Sequence, residues 1–595
     1  MKSLKYLLSV FLISAYSFMG CNEALNVQPE NKISENVVWN DPNLIESYLN
    51  NIYRGMDHGA NQAQLASMTD QASSIPDLGT GIVLKSEVTP GNMGNLASSR
   101  SDQYKWGPLY SRIHQTNVFL KNIQDANIDD QALKDRMTGE AHFLRAYFYH
   151  NLLRAYGGVP IVTEVYGLND NKQDPRASFK ETVDFIISEA DKAAQLLPTV
   201  ETGDNLGRAS AGAAMALKSR VLLFAASDLY NTNPSGMPET GYTTQQDRTQ
   251  LWRDAKNVAK AVMDLGVYHL FRANPAPGDS VAKNYYDLFF TQHNPEVIME
   301  RDFSATGRSL NSNYRPHIYH GPNGYHQWGG STPTQQLVDA YKMKDGSDFS
   351  WNDPQEAAHP YENRDPRFYA TILYDGAPYR QRPADDIQWD HDGVIQTFKR
   401  LTLPDGSEVP GLDTRDSPVE PWNGTWSGYY PRKILDDKAL PSEGQVPGMW
   451  IYFRYGEVLL NYAEASIELG EYADARSALN KIRDRVNMPE FNSSVTGQAL
   501  MDAYRNERRI ELAYEEHRFF DIRRWMIAPQ VMNEDAKGIT ITADATDRAD
   551  RSTYSNYQYT LMTYQDRLWK DKMYFFPIPQ DEMNRNEKLV QNPGY

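Results

Sequence analysis

The stretch whose reading decides the fold is Tyr462–Val486, "YAEASIELGEYADARSALNKIRDRV". Gly470 divides it into two helical segments. After the glycine, Tyr472, Ala475, Leu479, Ile482 and Val486 recur at spacings of 3, 4, 3 and 4, which is one face of an α-helix. A small alanine in an apolar stripe lets another helix approach closely, and a larger side chain one turn on fills the space beside it. A helix, a glycine and a second helix of this kind form a unit that hides its apolar face against further units of the same kind.

The same signature stands upstream in "LWRDAKNVAKAVMDLG", Leu251–Gly266, with Trp252, Ala255 and Ala259. Both segments resemble the second helix of a tetratricopeptide repeat. Other helices surround them. "GEAHFLRAYFYHNLLRAYGGVP" (Gly139–Pro160) aligns Ala141, Leu144, Phe148, Leu152 and Ala155 as a buried stripe and stops at Gly157-Gly158 and Pro160. "FKETVDFIISEADKAAQLLP" (Phe179–Pro198) repeats that logic, and the alanines of "RASAGAAMALKSRVLLFAASDLYN" (Arg208–Asn231) permit close helix contact. A further helix follows Asp41-Pro42, with Leu44, Ile45, Leu49 and Ile52 on one side.

Between these helices lie two irregular regions. Residues 57–101 are rich in Gly, Ser, Asn and Asp and read as long loops, a length that points to a functional surface. From about 274 to 449 helical periodicity is sparse, Pro, Gly, Asp, Tyr and Trp concentrate, and one helix is clear near "PTQQLVDAYKMKDG" (Pro333–Gly346). The expected division is residues 1–20 as a signal peptide, 21–35 as a tether, 36–273 as an N-terminal helical part, 274–449 as a loop-rich insert and 450–595 as a C-terminal helical part with a tail, the last three forming one body.

The first residues carry the targeting signal. Lys2 and Lys5 precede an apolar run from Tyr6 to Met19, too short for a comfortable membrane span, and Gly20 stands before Cys21, the single cysteine of 595 residues. The arrangement resembles the lipobox of bacterial lipoproteins, with Phe18 and Met19 replacing its usual residues. One cysteine forms no internal disulfide, and acylation consumes the lone thiol. Cys21 is therefore the expected lipid anchor, and several acyl chains on one residue hold a protein stably on a membrane. The formal charge of −17, made more negative by loss of the two lysines, argues against nucleic-acid binding.

Eight further stretches carry a family likeness: "LRAYFYHNLLRAYGGVPIV" (144–162), "NPEVIMERDF" (294–303), "PTQQLVDAYKMKDG" (333–346), "NRDPRFYATIL" (363–373), "GYYPRKILDD" (428–437), "FRYGEVLLNYAEASIELGEY" (453–472), "ERRIELAYEEHRFFDIRRW" (507–525) and "YFFPIPQDEMNRNEKLVQNPGY" (574–595). In this order the chain resembles the SusD/RagB-like family of surface lipoproteins. The likeness implies a mainly α fold: a tetratricopeptide-like scaffold of four helix pairs with an irregular ligand-binding region packed on it. It also implies oligosaccharide capture without catalysis on the outer face of the outer membrane, and hand-over to a TonB-dependent, SusC-like transporter.

The residues themselves point to binding by aromatic rings. Sugars present apolar C–H faces that stack on rings, while their hydroxyls pair with Asn, Asp, Gln and Arg. Tyr319, Tyr325 and Trp328 lie in the Gly-rich "RPHIYHGPNGYHQWGG" (Arg315–Gly330) beside Asn323 and Gln327, with Tyr325 and Trp328 the preferred pair and Gly329-Gly330 leaving backbone room for a ligand. Trp351, Trp389, Trp422 and Trp426 occupy other polar parts of the insert. Asp70, Asp77, Asn92 and Asn95 are candidate hydroxyl partners in the 57–101 region. A few such contacts give affinities of roughly −4 to −8 kcal/mol, millimolar to micromolar, which suits capture and release.

Other chemistries find little footing. In "NERRIELAYEEHRFFDIRRW" the acids Glu507, Glu511, Glu515, Glu516 and Asp521 alternate with arginines and read as structural ion pairs, Arg508 with Glu511 or Glu515, while Ile510, Tyr514 and Phe520 pack inward. His317, His320 and His326 lack a metal-binding spacing, so neither a metal nor a cofactor is expected. Asp390, Asp392 and Gly393 echo part of a calcium loop but lack its bidentate glutamate and read as a turn. No nucleophile elbow or phosphate loop occurs. A surface glycoside hydrolase, which needs two carboxylates across a bond, and a tetratricopeptide scaffold for protein assembly are the competing readings.

Overall fold

Helix caps and glycines set where each helix begins and ends. Asp41, Ser178 and Ser210 accept hydrogen bonds from backbone N–H groups of the first turn, and Ser178 with Glu181 forms a reciprocal capping box. The resulting helices are paired along the chain: α1 (Pro42–Tyr53) with α2 (Trp106–Asn122), α3 (Gln131–Tyr156) with α4 (Phe179–Leu196), α5 (Ala211–Ala226) with α6 (Arg248–Asp264), and α7 (Tyr455–Glu468) with α8 (Tyr472–Asp484). These belong to a computed structural model that describes residues 38–93, 104–167, 170, 173–242, 247–303, 314–438 and 448–595. Each helix packs on the next, and the first helices of successive pairs also touch, α1 on α3, α3 on α5 and α5 on α7. This is the stacking of a tetratricopeptide-like scaffold, ended by α9 (Gly497–Glu511) against α7 and α8. Among the described residues, no helix is long and apolar enough to cross a membrane.

The two helices of a pair live in different surroundings. The second helices are half-buried: α6 buries Leu251, Trp252, Ala255, Ala259 and Val262 and shows its other face to solvent. Of the first helices, α1 buries only Ile45, Leu49 and Ile52, whereas α3, α5 and α7 are buried over most of their surface. In α3 the expected stripe is a minority of what is covered, because Arg145, His150, Asn151 and Arg154 are buried as well. The cover comes from the irregular parts of the chain. Residues 58–74, expected as surface loops, are nearly all buried.

The insert leaves and returns at one place. Strand β2 (Val297–Asp302) pairs antiparallel with β8 (Met449–Arg454), so that α7 packs on α6 across the long excursion between them. Within the excursion, β3 (Ser331–Pro333) pairs antiparallel with β1 (Ala72–Ser74), and β4 (Ile372–Leu373) with β7 (Tyr430–Pro431). The tail supplies the longest strands. β9 (Ala536–Asp544) and β10 (Ser555–Gln565) form an antiparallel hairpin joined in parallel to β5 (Arg400–Thr402), which pairs with β6 (Glu408–Val409) in a four-stranded sheet. That hairpin lies in the part of the chain expected as helices with a tail. Its core face, with Ile539, Ile541 and Ala543, packs with Phe398, Leu401 and Tyr429 of the insert.

The acid-rich segment 505–525 is not a charged surface face. Glu511 pairs with Arg367, Arg454 and Arg485, and all four side chains are buried. Arg508 pairs with Asp521 and donates to Asn461 rather than meeting Glu511 or Glu515. Ile510, Tyr514 and Phe520 are buried as expected.

Candidate ligand-binding surface

Strand pairing brings three loops of the insert together. The first runs from the short helix Pro316–His320 to Gly330, the second covers residues 383–390, and the third covers residues 415–428. The β1–β3 pair sets the 75–79 turn beside the first loop, where Ile75 N–H donates to the Gly330 carbonyl.

Buried polar side chains hold the loops. Asn323 donates to the carbonyls of Thr414 and Val419 at 3.0 and 2.7 Å, and accepts from the Tyr430 hydroxyl at 2.7 Å. Arg382 pairs with Asp390 and Asp413, both at 2.7 Å, and donates to the Gly324 carbonyl. Its guanidinium lies 4.2 Å from the centre of the Tyr325 ring. Asp390 also accepts from the backbone N–H groups of Asp392, Gly393 and Val394, so "DDIQWDHDG" is the turn that its sequence indicates.

This framework revises the choice of rings. Tyr325 is fully buried and its hydroxyl donates to the Arg380 carbonyl at 2.8 Å, so it is a staple beneath the surface and has no face to offer. Burial pushes its phenol well above the usual range. Tyr319 is also buried, and its ring supports Trp328 at a centroid distance of 5.6 Å. Gly329 and Gly330 leave no room for a ligand either. Gly329 has φ +57°, a Cβ there would lie 2.5 Å from the Asn423 carbonyl oxygen, and one on Gly330 would lie 2.4 Å from that of Tyr319. The glycines are required by close backbone approach.

The rings that do reach solvent are Trp328, Trp422 and Trp426, exposed by 39%, 66% and 42%. The contact of Gly329 with Asn423 puts Trp328 and Trp422 on adjoining loops. Arg415 stacks over Trp426 at 3.6 Å. Trp389 is half-buried beside Arg548, and Trp351 donates to Asp339. Asp77 is exposed, but its carboxylate caps the Thr80–Leu84 helix through Thr80 and Gly81. Asp70 is buried in ion pairs with Arg509 and Arg518, which excludes it as a sugar partner. Asn92 is tied to Thr89 and Glu87. Cys21 and Asn95 lie outside the described residues. The Arg415–Trp426 stack was missed at the sequence level, since nothing in the spacing of two residues on one loop announces a cation over a ring.

Charge gathers at the same rim. His326, at φ +58°, faces Asp385 and Asp386 with Nε2 and Glu420 with Nδ1. Burial and the nearby Asp385 hold the Asp386 carboxyl above the usual carboxylate range. His317 and His320 do not join His326 in a ligand set among the described residues. They are buried, and burial pushes their imidazoles down to about 4 and about 3.

Comparison with known proteins places this arrangement. A model described as the SusD family matches residues 295–595, and a second, described as starch-binding associating with outer membrane, matches residues 23–223. The chain belongs to the SusD family. This SusD-family chain is 23% identical over 550 residues to SusD-like protein P38 of Formosa agariphila, covering 88% of this chain and 92% of that one. A SusD-like protein from Bacteroides fragilis superposes with a TM-score of 0.73 at 28% identity, covering 96% of this chain and all of the other. A laminarin-binding SusD-like protein superposes with a TM-score of 0.60 at 20% identity over 93% of this chain and all of the other.

Proposed function

We propose that this chain is an oligosaccharide-binding lipoprotein of the outer membrane, facing the cell exterior through a lipid on Cys21 and passing its ligand to a TonB-dependent, SusC-like transporter. The observation that carries the reading is the rim formed by Trp328, Trp422 and Trp426, three part-exposed indoles on loops fixed from beneath by Asn323, Arg382 and Tyr325. Rigid loops present flat apolar faces at little entropic cost, which is what stacking on the C–H face of a sugar requires. Trp328 and Trp422 are the proposed stacking pair, with Trp389 and Asp77 at the margin. The names of the relatives support the ligand class: one is described as laminarin-binding and one family model as starch-binding.

Binding without catalysis accords with the state of the acids. Glu507, Glu511 and Asp521, which could suggest acid–base work, are buried in ion pairs with arginines. That leaves a structural use for each.

Calorimetric titration of the protein with maltoheptaose and laminarihexaose tests the reading. Saturable binding in the millimolar to micromolar range is expected, with the sugar recovered intact, and Trp328→Ala with Trp422→Ala should weaken it roughly tenfold or more. Full affinity in the double variant rejects the surface, and shortened sugar rejects the class. For the anchor, Cys21→Ser should abolish incorporation of labelled palmitate and release the chain from the membrane fraction. Retention with the label present overturns lipidation at Cys21.

A further inference from the structure

His326, Asp385 and Asp386 each bring a ligand atom to within 4.8 Å of the others. Nε2 of His326 lies 3.2 Å from an Asp385 oxygen and 3.4 Å from Oδ2 of Asp386. The side chain of Asp386 is only 5% exposed, and Oδ2 has no hydrogen-bond partner. A buried carboxylate oxygen is costly unless something positive faces it, and a second carboxylate alongside raises that cost. Arg382 is already committed to Asp390 and Asp413.

We propose that His326, Asp385 and Asp386 ligate a divalent transition-metal cation of the zinc type, with Glu420 orienting the imidazole. The spacing fits. Zinc bonds to nitrogen and carboxylate oxygen are about 2.0–2.1 Å, so two ligands at neighbouring corners of a tetrahedron stand about 3.3 Å apart. Both Nε2 contacts, at 3.2 and 3.4 Å, have that separation. The donors fit as well. An imidazole nitrogen with two carboxylates selects zinc-like ions over calcium or magnesium, which take oxygen ligands. Glu420 Oε1, 3.2 Å from Nδ1, accepts that proton and turns the Nε2 lone pair toward the two aspartates, the outer-shell arrangement of metal-bound histidines.

The site joins the three loops whose rim carries Trp328 and Trp422, and a cation there clamps them. It does not depend on the sugar reading, and its test needs no sugar. Untagged full chain is titrated with Zn²⁺ by calorimetry at neutral pH, with Ca²⁺ and Mg²⁺ in parallel. One saturable Zn²⁺ per chain is expected, abolished by His326→Gln and by Asp386→Asn and weakened about 10- to 100-fold by Glu420→Gln. Should the buried Asp386→Asn fail to fold, Asp385→Asn, at a side chain 69% exposed, reads the same loss. Absence of Zn²⁺ binding, Zn²⁺ affinity unchanged in both Asp385→Asn and His326→Gln, or Ca²⁺ binding as tight as Zn²⁺ each overturns the proposal.

Discussion

His58, His150, His317 and His320 are buried, and burial depresses their imidazoles, His58 and His320 to about 3, His317 to about 4 and His150 well below its ordinary value. Each stays neutral in the folded chain while its unfolded counterpart takes up a proton below about pH 6.5. The unfolded state then binds more protons, so stability falls as the pH is lowered. Glu300 and Glu516 run the other way, because burial raises them to about 7 and about 8 and the folded chain keeps their protons. Among these six groups the four histidines outweigh the two carboxyls between pH 6 and pH 5, so together they remove stability on acidification. In urea denaturation at pH 6 and pH 5, His320→Gln should make that slope shallower by about 1.4 kcal/mol per pH unit. An unchanged slope would show that His320 is protonated in the fold. Residue identity announced none of this, since "HIYHGPNGYH" reads equally as an exposed loop. The same ambiguity misplaced Tyr325: a tyrosine and a tryptophan three residues apart on a tight turn point in different directions, one into the Arg382 cluster and one outward.

At the scale of the element, the alanine rule reads well because it is local. Ala255 and Ala259 lie on the buried face of α6, which packs between α5 and α7. Ala259→Leu inserts three carbons into that contact and should cost about 1–3 kcal/mol, seen as a lower urea midpoint with far-ultraviolet helicity retained. A midpoint equal to that of the parent would mean that the alanine does not set the helix spacing. The half-buried helices, α1 and the second helices, were legible from their stripes, while α3, α5 and α7, covered over most of their surface, were legible as helices but not as to what covers them. The β9–β10 hairpin escaped notice although Ile539, Ile541 and Ala543 alternate as a strand should. The polar run between its strands obscured it, and its other partner, β5, lies far away in the sequence.

Over the whole molecule, buried ion pairs tie the insert to the scaffold. Arg367 of the insert and Arg485, just after α8, meet on Glu511, as does Arg454 at the end of β8. Glu296, just before β2, pairs with Arg454 and Arg485 at 2.8 Å. Burial alone would raise the Glu511 carboxyl, but Arg485, Arg454 and Arg367 hold it far below the usual range. Glu511→Gln leaves three buried guanidinium groups short of charge and should cost about 3–5 kcal/mol. Parent and variant should both unfold in one transition when followed by circular dichroism and by proteolysis within residues 274–449. Separate loss of the insert at lower urea would show that the two parts are independently stable.

Periodicity within single segments determined the paired-helix scaffold, the order of its motifs determined the family, and the basic and apolar start ahead of Cys21 determined the expectation of a lipid anchor. Those signals are carried by residues close together along the chain, where helical geometry dictates who faces whom. Which rings reach solvent, which acids are buried and which loops adjoin was decided only by the tertiary structure. Those outcomes depend on pairings such as β1 with β3 and β2 with β8, and contact between distant segments leaves no period in the sequence to read.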